Sequence, residues 1–76
     1  LHLNDNQIGD VSALSGLTRL EVLYLYGNRI SSIEPLVNNP GLSSGDLVHV
    51  NDNPLDSASI SVYVVQLESR GVRVFY

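Results

Sequence analysis

Two histidines, His2 and His49, and eight carboxylates are the groups of this 76-residue chain that could bind a metal or move a proton; the four basic residues are all Arg. There is no Cys, so a thiolate zinc site, a redox dithiol and a cysteine nucleophile are all excluded. The segments Asn4-Asp5-Asn6 and Asn51-Asp52-Asn53 look like pieces of a calcium loop, but the Gly turn and closing Glu are missing from the required spacing. Ten serines are scattered along the chain, none in a strained elbow or beside a Lys that would activate a hydroxyl. The carboxylates are spread along turns, with no pair set to face another across a cleft, and the six glycines are isolated, so no phosphate-cradling loop is present. These residues predict no catalytic site, no metal site and no cofactor.

Partners are narrowed by charge and length. The net charge is -4, and Arg19, Arg29, Arg70 and Arg73 lie dispersed among acids, which argues against nucleic acid. No apolar run approaches the ~20 residues that span a bilayer, so membrane insertion is not expected. A chain this short buries only about 60% of its extendable surface, and without disulfides its core would need stacked neighbours. The sequence opens at Leu1 in mid-pattern, without an initiator Met or signal peptide, and reads as a fragment.

The elements that position these residues follow from a repeat. Leu1, Leu3, Asn6, Ile8, Val11, Leu14 and Leu20 recur 22 residues later as Leu23, Leu25, Asn28, Ile30, Ile33, Leu36 and Leu42. A further copy follows at an offset of 25, with Leu23, Leu25, Asn28 and Ile30 matched by Val48, Val50, Asn53 and Leu55. The three extra residues fall in the turn-rich stretch Asn38–Asp46, where an insertion leaves the register of the copies intact. The run Leu20-x-x-Leu23-x-Leu25-x-x-Asn28-x-Ile30-x-x-Ile33-x-x-Leu36 resembles the 22-residue leucine-rich repeat of bacterial internalin-type proteins, and residues 53–76 resemble the terminal unit of such arrays. The resemblance implies an α/β leucine-rich-repeat solenoid: a right-handed coil with short parallel strands on the concave face and an irregular 3₁₀ or helical convex side. It also implies a bacterial surface or secreted setting.

Within one domain, 1–76, the copies span about 1–19, 20–41 and 45–56, and a C-terminal helix and capping strand occupy 57–76. Alternation at Leu23 and Leu25 marks a strand with one buried face. The Asn after each strand (Asn6, Asn28, Asn53) can donate to and accept from the backbone of adjacent turns, forming a ladder. Ile8, Val11, Leu14, Leu17 and Leu20 recur every three residues, the spacing of a tight 3₁₀-like return path. Asp56 or Ser57 can cap a helix reaching about Arg70, with Gly71 as its stop and Ile60, Tyr63, Val64 and Leu67 as its apolar face; Ile60, Val62 and Val64 would also fit a strand. Val72 and Val74 are expected at the buried positions equivalent to Val48 and Val50.

That register places His2, Tyr24, His49 and Arg73 in one outward column and Asn4, Tyr26, Asn51 and Phe75 in the next, with Val22 and Leu47 on the preceding row and Asp5 and Asp52 on the rim. Strands at about 4.8 Å spacing would hold His2 and His49 about 10 Å apart with Tyr24 between them, too far to share a zinc ion. Aromatic, amide, imidazole and guanidinium groups on a rigid curved sheet suit the recognition of a protein partner, centred on Tyr24 and Tyr26. Two other roles fit the same residues: a structural cap whose binding surface lies in upstream repeats of the same parent chain, and an intracellular scaffold or enzyme-regulatory repeat.

Overall fold

Three parallel strands of three residues each form the sheet: β1 (Val22–Tyr24), β2 (Leu47–His49) and β3 (Arg73–Phe75), in the order β1-β2-β3. The computed structural model describes residues 1–76. Leu1–Asp5 runs beside β1 without the length of a regular strand: Leu3 N–H donates to the Tyr24 carbonyl at 2.9 Å, and His2 bridges to Tyr24. Because strand side chains alternate, Leu23, Val48 and Val74 face inward at the centre of each strand, with Leu25 and Val50 just beyond the ends of β1 and β2. The chain between strands closes the core from the other side. A 3₁₀ turn at Ser12–Gly16 supplies Leu14, and the short helix α1 (Glu34–Val37), with Pro35 in its first turn, supplies Leu36. A π turn at Ser59–Tyr63 then leads into α2 (Val64–Ser69), which contributes Val64 and Leu67. Fourteen buried apolar residues join in a single cluster.

Side-chain amides tie one copy to the next. Asn28 Nδ2 donates to the carbonyls of Leu3 at 2.9 Å and Leu25 at 2.8 Å, while its Oδ1 accepts the N–H groups of Asn6 at 3.2 Å and Ile8 at 3.1 Å. Asn53 repeats this one copy later, donating to Leu25 and Val50 and accepting from Ile30. The Asn6 side chain, expected in the same ladder, is exposed and donates only within its own copy, to Leu3 and Asn4. The residue just before each of these Asn has a left-handed backbone: Asp5 at φ 58°, Gly27 at 73°, Asp52 at 56°. Only Gly, and with less ease Asp or Asn, holds that conformation, and it turns the chain so that the Asn side chain points back under the strand.

On the side opposite the sheet, a different group links each pair of copies. Buried Asn39 donates to the carbonyls of Leu14 and Leu17 at 2.9 and 3.0 Å. One copy on, the Arg70 guanidinium donates to the carbonyls of Val37, Asn39 and Leu42. Arg70 thus serves the open carbonyls at and just beyond the end of the neighbouring α1. Buried Ser59 accepts the Ile33 N–H and donates to the Ser31 carbonyl. Gly41 passes so close to the Thr18 backbone that a β-carbon there would overlap the Thr18 carbonyl.

Three expectations are corrected. The final strand is displaced by two residues: Leu47, Val48 and His49 pair with Arg73, Val74 and Phe75, so Val74 is the counterpart of Val48, not of Val50. The cause is the tight exit from α2, where Gly71 at φ 86° accepts the Gly45 N–H and Arg73 N–H then bonds the Asp46 carbonyl, starting the strand level with Leu47. A shift of two preserves the faces, so Val72 and Val74 remain buried. Ile60 is 44% exposed and does not share the helix's apolar face. The wide π turn takes five residues to come round, so Ser59 and Val64 hold the inward positions. Leu17, at one end of the stack beside Leu1, is exposed as well.

Asn28→Ala leaves the Asn6 and Ile8 N–H groups without an acceptor, at about 1–3 kcal/mol for each, while the Leu3 and Leu25 carbonyls keep the Asn6 and Asn53 amides as donors. Urea denaturation is expected to show a loss of at least about 2 kcal/mol for Asn28→Ala and a far smaller loss for Asn6→Ala, whose bonds are local and exposed.

Candidate functional site

The residues that face away from the core share one open sheet face. Val22, Leu47 and Arg73 form its first row, and His2, Tyr24, His49 and Phe75 its second. Asn4, Tyr26 and Asn51 follow beyond the strand ends, where Asp5 N–H bonds the Tyr26 carbonyl and Gly27 N–H that of Asn51. The two-residue displacement of β3 therefore moves Arg73 from beside His49 to beside Leu47, and Phe75 from beside Asn51 to beside His49, relative to the columns read from the sequence. Phe75 completes the aromatic column, and Arg73 stands beside Leu47 with its guanidinium 5.7 Å from the Phe75 ring centre.

Along that column the rings are continuous. His2 stacks on Tyr24 at 4.6 Å, Tyr24 meets His49 at 4.9 Å, and His49 stacks on Phe75 at 4.3 Å; Tyr26 meets Tyr24 edge-on at 6.3 Å. The cause is geometric. Parallel strands lie about 4.8 Å apart, close to the stacking distance of flat rings, so aromatics at one repeat position must pack face to face. Their faces are spent on one another, and the column offers solvent its ring edges, with the phenol and imidazole polar atoms among them.

Charge is partitioned in the same way. The ten outward residues include no carboxylate, and Arg73 is their only formal charge, although the chain carries eight acids. Asp5 and Asp52 stand exposed at the rim, where Asn4 donates to Asp5 at 3.1 Å. The two imidazoles do not meet, because the Tyr24 ring lies between them, and nowhere do three His, Asp or Glu side chains converge.

On the opposite side, a polar groove of about 390 Å³ lies between residues 9–15 and 31–38, with Val11 and Pro35 as its apolar walls. Its serines turn to nearby partners: Ser15 donates to the Ser12 carbonyl, and the Ser12 hydroxyl and N–H both donate to Asp10, holding that carboxyl below its ordinary pKa. Tyr63 donates to Glu34 at 3.0 Å, and the accepting carboxylate raises the phenol above its usual value by favouring the neutral form. These bonds describe a solvated surface pinned to its own backbone.

Residues that link the copies were missed in the sequence. Asn39, Ser59 and Arg70 occupy no shared repeat letter, and each is recognisable only from the carbonyls beside it. The left-handed series Asp5, Gly27, Asp52 did leave a signal, since it repeats at the same offsets of 22 and 25 as the leucines.

Tyr24→Ala removes the ring that shields both imidazoles. In proton NMR spectra the ring resonances of His2 and His49 are expected to move downfield together, whereas Tyr26→Ala, which removes only an edge contact to Tyr24, leaves them nearly unchanged.

Comparison with known proteins agrees with this architecture. A family model described as leucine rich repeats, in two copies, matches residues 1–38, half of the chain. No match was found among curated proteins or solved structures. Parallel pairing at offsets of 22 residues (His2 to Tyr24) and 25 residues (Tyr24 to His49), asparagines bridging the copies and the family match together place this chain in the leucine-rich repeat family.

Proposed function

We propose that the chain is a non-enzymatic module that recognises a protein through the open sheet face, and that this face is the concave side of a right-handed solenoid belonging to a longer repeat protein. Tyr24 and Tyr26 are the anchors, flanked by His2, Asn4, His49 and Asn51; Val22 and Leu47 add apolar area, and Arg73 and Phe75 close the far side. The observation that carries this reading is the unbroken column His2–Tyr24–His49–Phe75 on a face free of carboxylates, in a chain of net charge -4. Binding surfaces are depleted of charge at their centre and enriched in aromatics and Arg, and this face has that composition while the acids lie elsewhere. Pre-stacked rings lose little side-chain entropy when a partner docks, which favours affinity. The helix and β3 form the C-terminal end of the array. The 22-residue spacing supports the internalin-type class, and with it a bacterial surface setting.

The test is a footprint followed by a substitution. A protein binder selected against the whole chain is expected to slow amide exchange over 22–26, 47–51 and 73–75, and Tyr24→Ala with Tyr26→Ala is expected to weaken it by more than about 2 kcal/mol without lowering Tm appreciably. Binders that consistently protect the opposite side, or a dissociation constant unmoved by the double substitution, contradict the proposal.

A further inference from the structure

The polar side chains of the open face are uncommitted. On the opposite side the Ser12 and Ser15 hydroxyls, Asp10 and Glu34 are spent on neighbours, and Arg70 is spent on three carbonyls. On the open face the phenols of Tyr24 and Tyr26, the imidazoles of His2 and His49 and the Arg73 guanidinium make ring contacts only. What these groups share is the sign of the charge they present. An aromatic ring is negative on its face and positive at its edge, so a column whose faces are closed on one another turns positive edges outward. Guanidinium and phenol hydrogens add donors along it, no carboxylate interrupts it, and each imidazole has a nitrogen that takes up a further proton. Few charges stand around the two imidazoles. His2 meets the Tyr24 ring, with Asp5 at the rim beside Asn4 and the Leu1 nitrogen turned to the Val22 carbonyl. His49 lies between Tyr24 and Phe75, with Tyr26 and Arg73 nearby and Asp52 at the rim, and the core beneath, Leu23 and Val48, is uncharged.

We infer that the partner meets this face with an acidic segment, its carboxylates set against the ring edges and Arg73, its apolar side chains against Val22 and Leu47, and that the contact tightens as pH falls through the range in which imidazoles gain a proton. The inference rests on the open face being the recognition surface and adds the chemistry of what is recognised. Ionised carboxylates only accept hydrogen bonds, so they complement a face of donors and positive ring edges. A segment rich in Lys or Arg would meet Arg73 and find carboxylates only at the margins, at Glu21, Asp5 and Asp52. The net charge of -4 does not reverse this preference. Salt screens exposed charges beyond about 8 Å, whereas Arg73 and the imidazoles act in contact with the partner. The sign of the pH dependence follows from linkage. A carboxylate held beside an imidazole favours its protonated form, so proton uptake and binding strengthen each other until the partner's own carboxylates protonate near about pH 4.

The test titrates a synthetic peptide of alternating Asp and Leu, and its analogues with Asn or Lys in place of Asp, into the isotope-labelled chain at about pH 7.5 and about pH 5.5, on either side of the imidazole range. The Asp peptide is expected to move the amide resonances of 22–26, 47–51 and 73–75, and to bind about three- to ten-fold more tightly at the lower pH. The Asn peptide is expected to bind more weakly at both, and the Lys peptide to move amides near the acids of the turns and the helical side instead. Arg73→Gln is expected to weaken the Asp peptide at both pH values, and His49→Gln to reduce the gain on acidification, with Tm reporting that each variant is folded. If His49→Gln lowers Tm, the exposed His2 makes the same test as His2→Gln. Equal binding of the Asp and Asn peptides at the face, or an affinity that is flat or falls toward the lower pH, overturns the inference and leaves recognition by the face intact. Shifts by the Asp peptide that are absent or confined to other surfaces overturn it as well, and the Tyr24→Ala with Tyr26→Ala measurement on a selected binder then decides the recognition reading separately. Inorganic phosphate that moves the same amides at the same concentration shows a bare anion site and overturns the assignment to a protein segment.

Discussion

Strands three residues long cannot hold a sheet in register through their own ladder alone, so the alignment of the copies rests on hydrogen bonds that cross between them through side chains. Asn28 is the clearest case: one amide serves four backbone groups in two copies, and it can do so only when Leu3 and Leu25 lie side by side. Asn39, Asn53, Ser59 and Arg70 do comparable work at other points around the core. Each bridge meets a carbonyl or N–H that the turns leave open, in an interior where an unpaired group would be costly. Apolar burial supplies most of the driving force, but a row of similar leucines would tolerate a slip that these directional bonds do not.

The open face inherits its order from that alignment. Once the strands lie at a single spacing, residues at the same repeat position form columns, and their chemistry is decided by which side chains the repeats carry there. His2, Tyr24, His49 and Phe75 are flat rings and stack; Val22, Leu47 and Arg73 make a mixed row beside them. The rigidity of the face comes from the core beneath it, since Leu23 and Val48 are fully buried under the column. The acids are confined to the rim, the turns and the helical side, where water solvates them, apart from buried Asp46, whose carboxylate accepts the Ser43 N–H at 2.9 Å.

Much of this was legible from periodicity. The offsets of 22 and 25 residues locate β1 and β2 and identify Leu23, Leu25, Val48 and Val50 as inward residues, because a period of two fixes the faces without knowledge of any neighbour. What escaped was set by geometry outside the repeat. The level at which β3 begins depends on how few residues the chain needs to leave α2 through Gly71, which no spacing rule measures, and so Arg73 and Phe75 each stand one row nearer the Val22–Leu47 row than the spacing predicts. The exposure of Ile60 follows from a π turn, and helical-wheel reasoning assumes a turn of 3.6 residues. Arg70 looked like a helix-end charge, and its role as donor to the preceding copy appears only once Val37, Asn39 and Leu42 are seen to present their carbonyls to it.

In-register stacking of the leucine positions is most directly tested by methyl–methyl nuclear Overhauser effects in a Leu/Val-labelled sample. The structure predicts cross-peaks linking Leu23 to Val48 and Val48 to Val74, and Leu25 to Val50, with Val48 closer to Val74 than to Val72. Absence of the Leu23–Val48–Val74 chain of contacts, or a pattern that pairs Val50 with Val74, would contradict it.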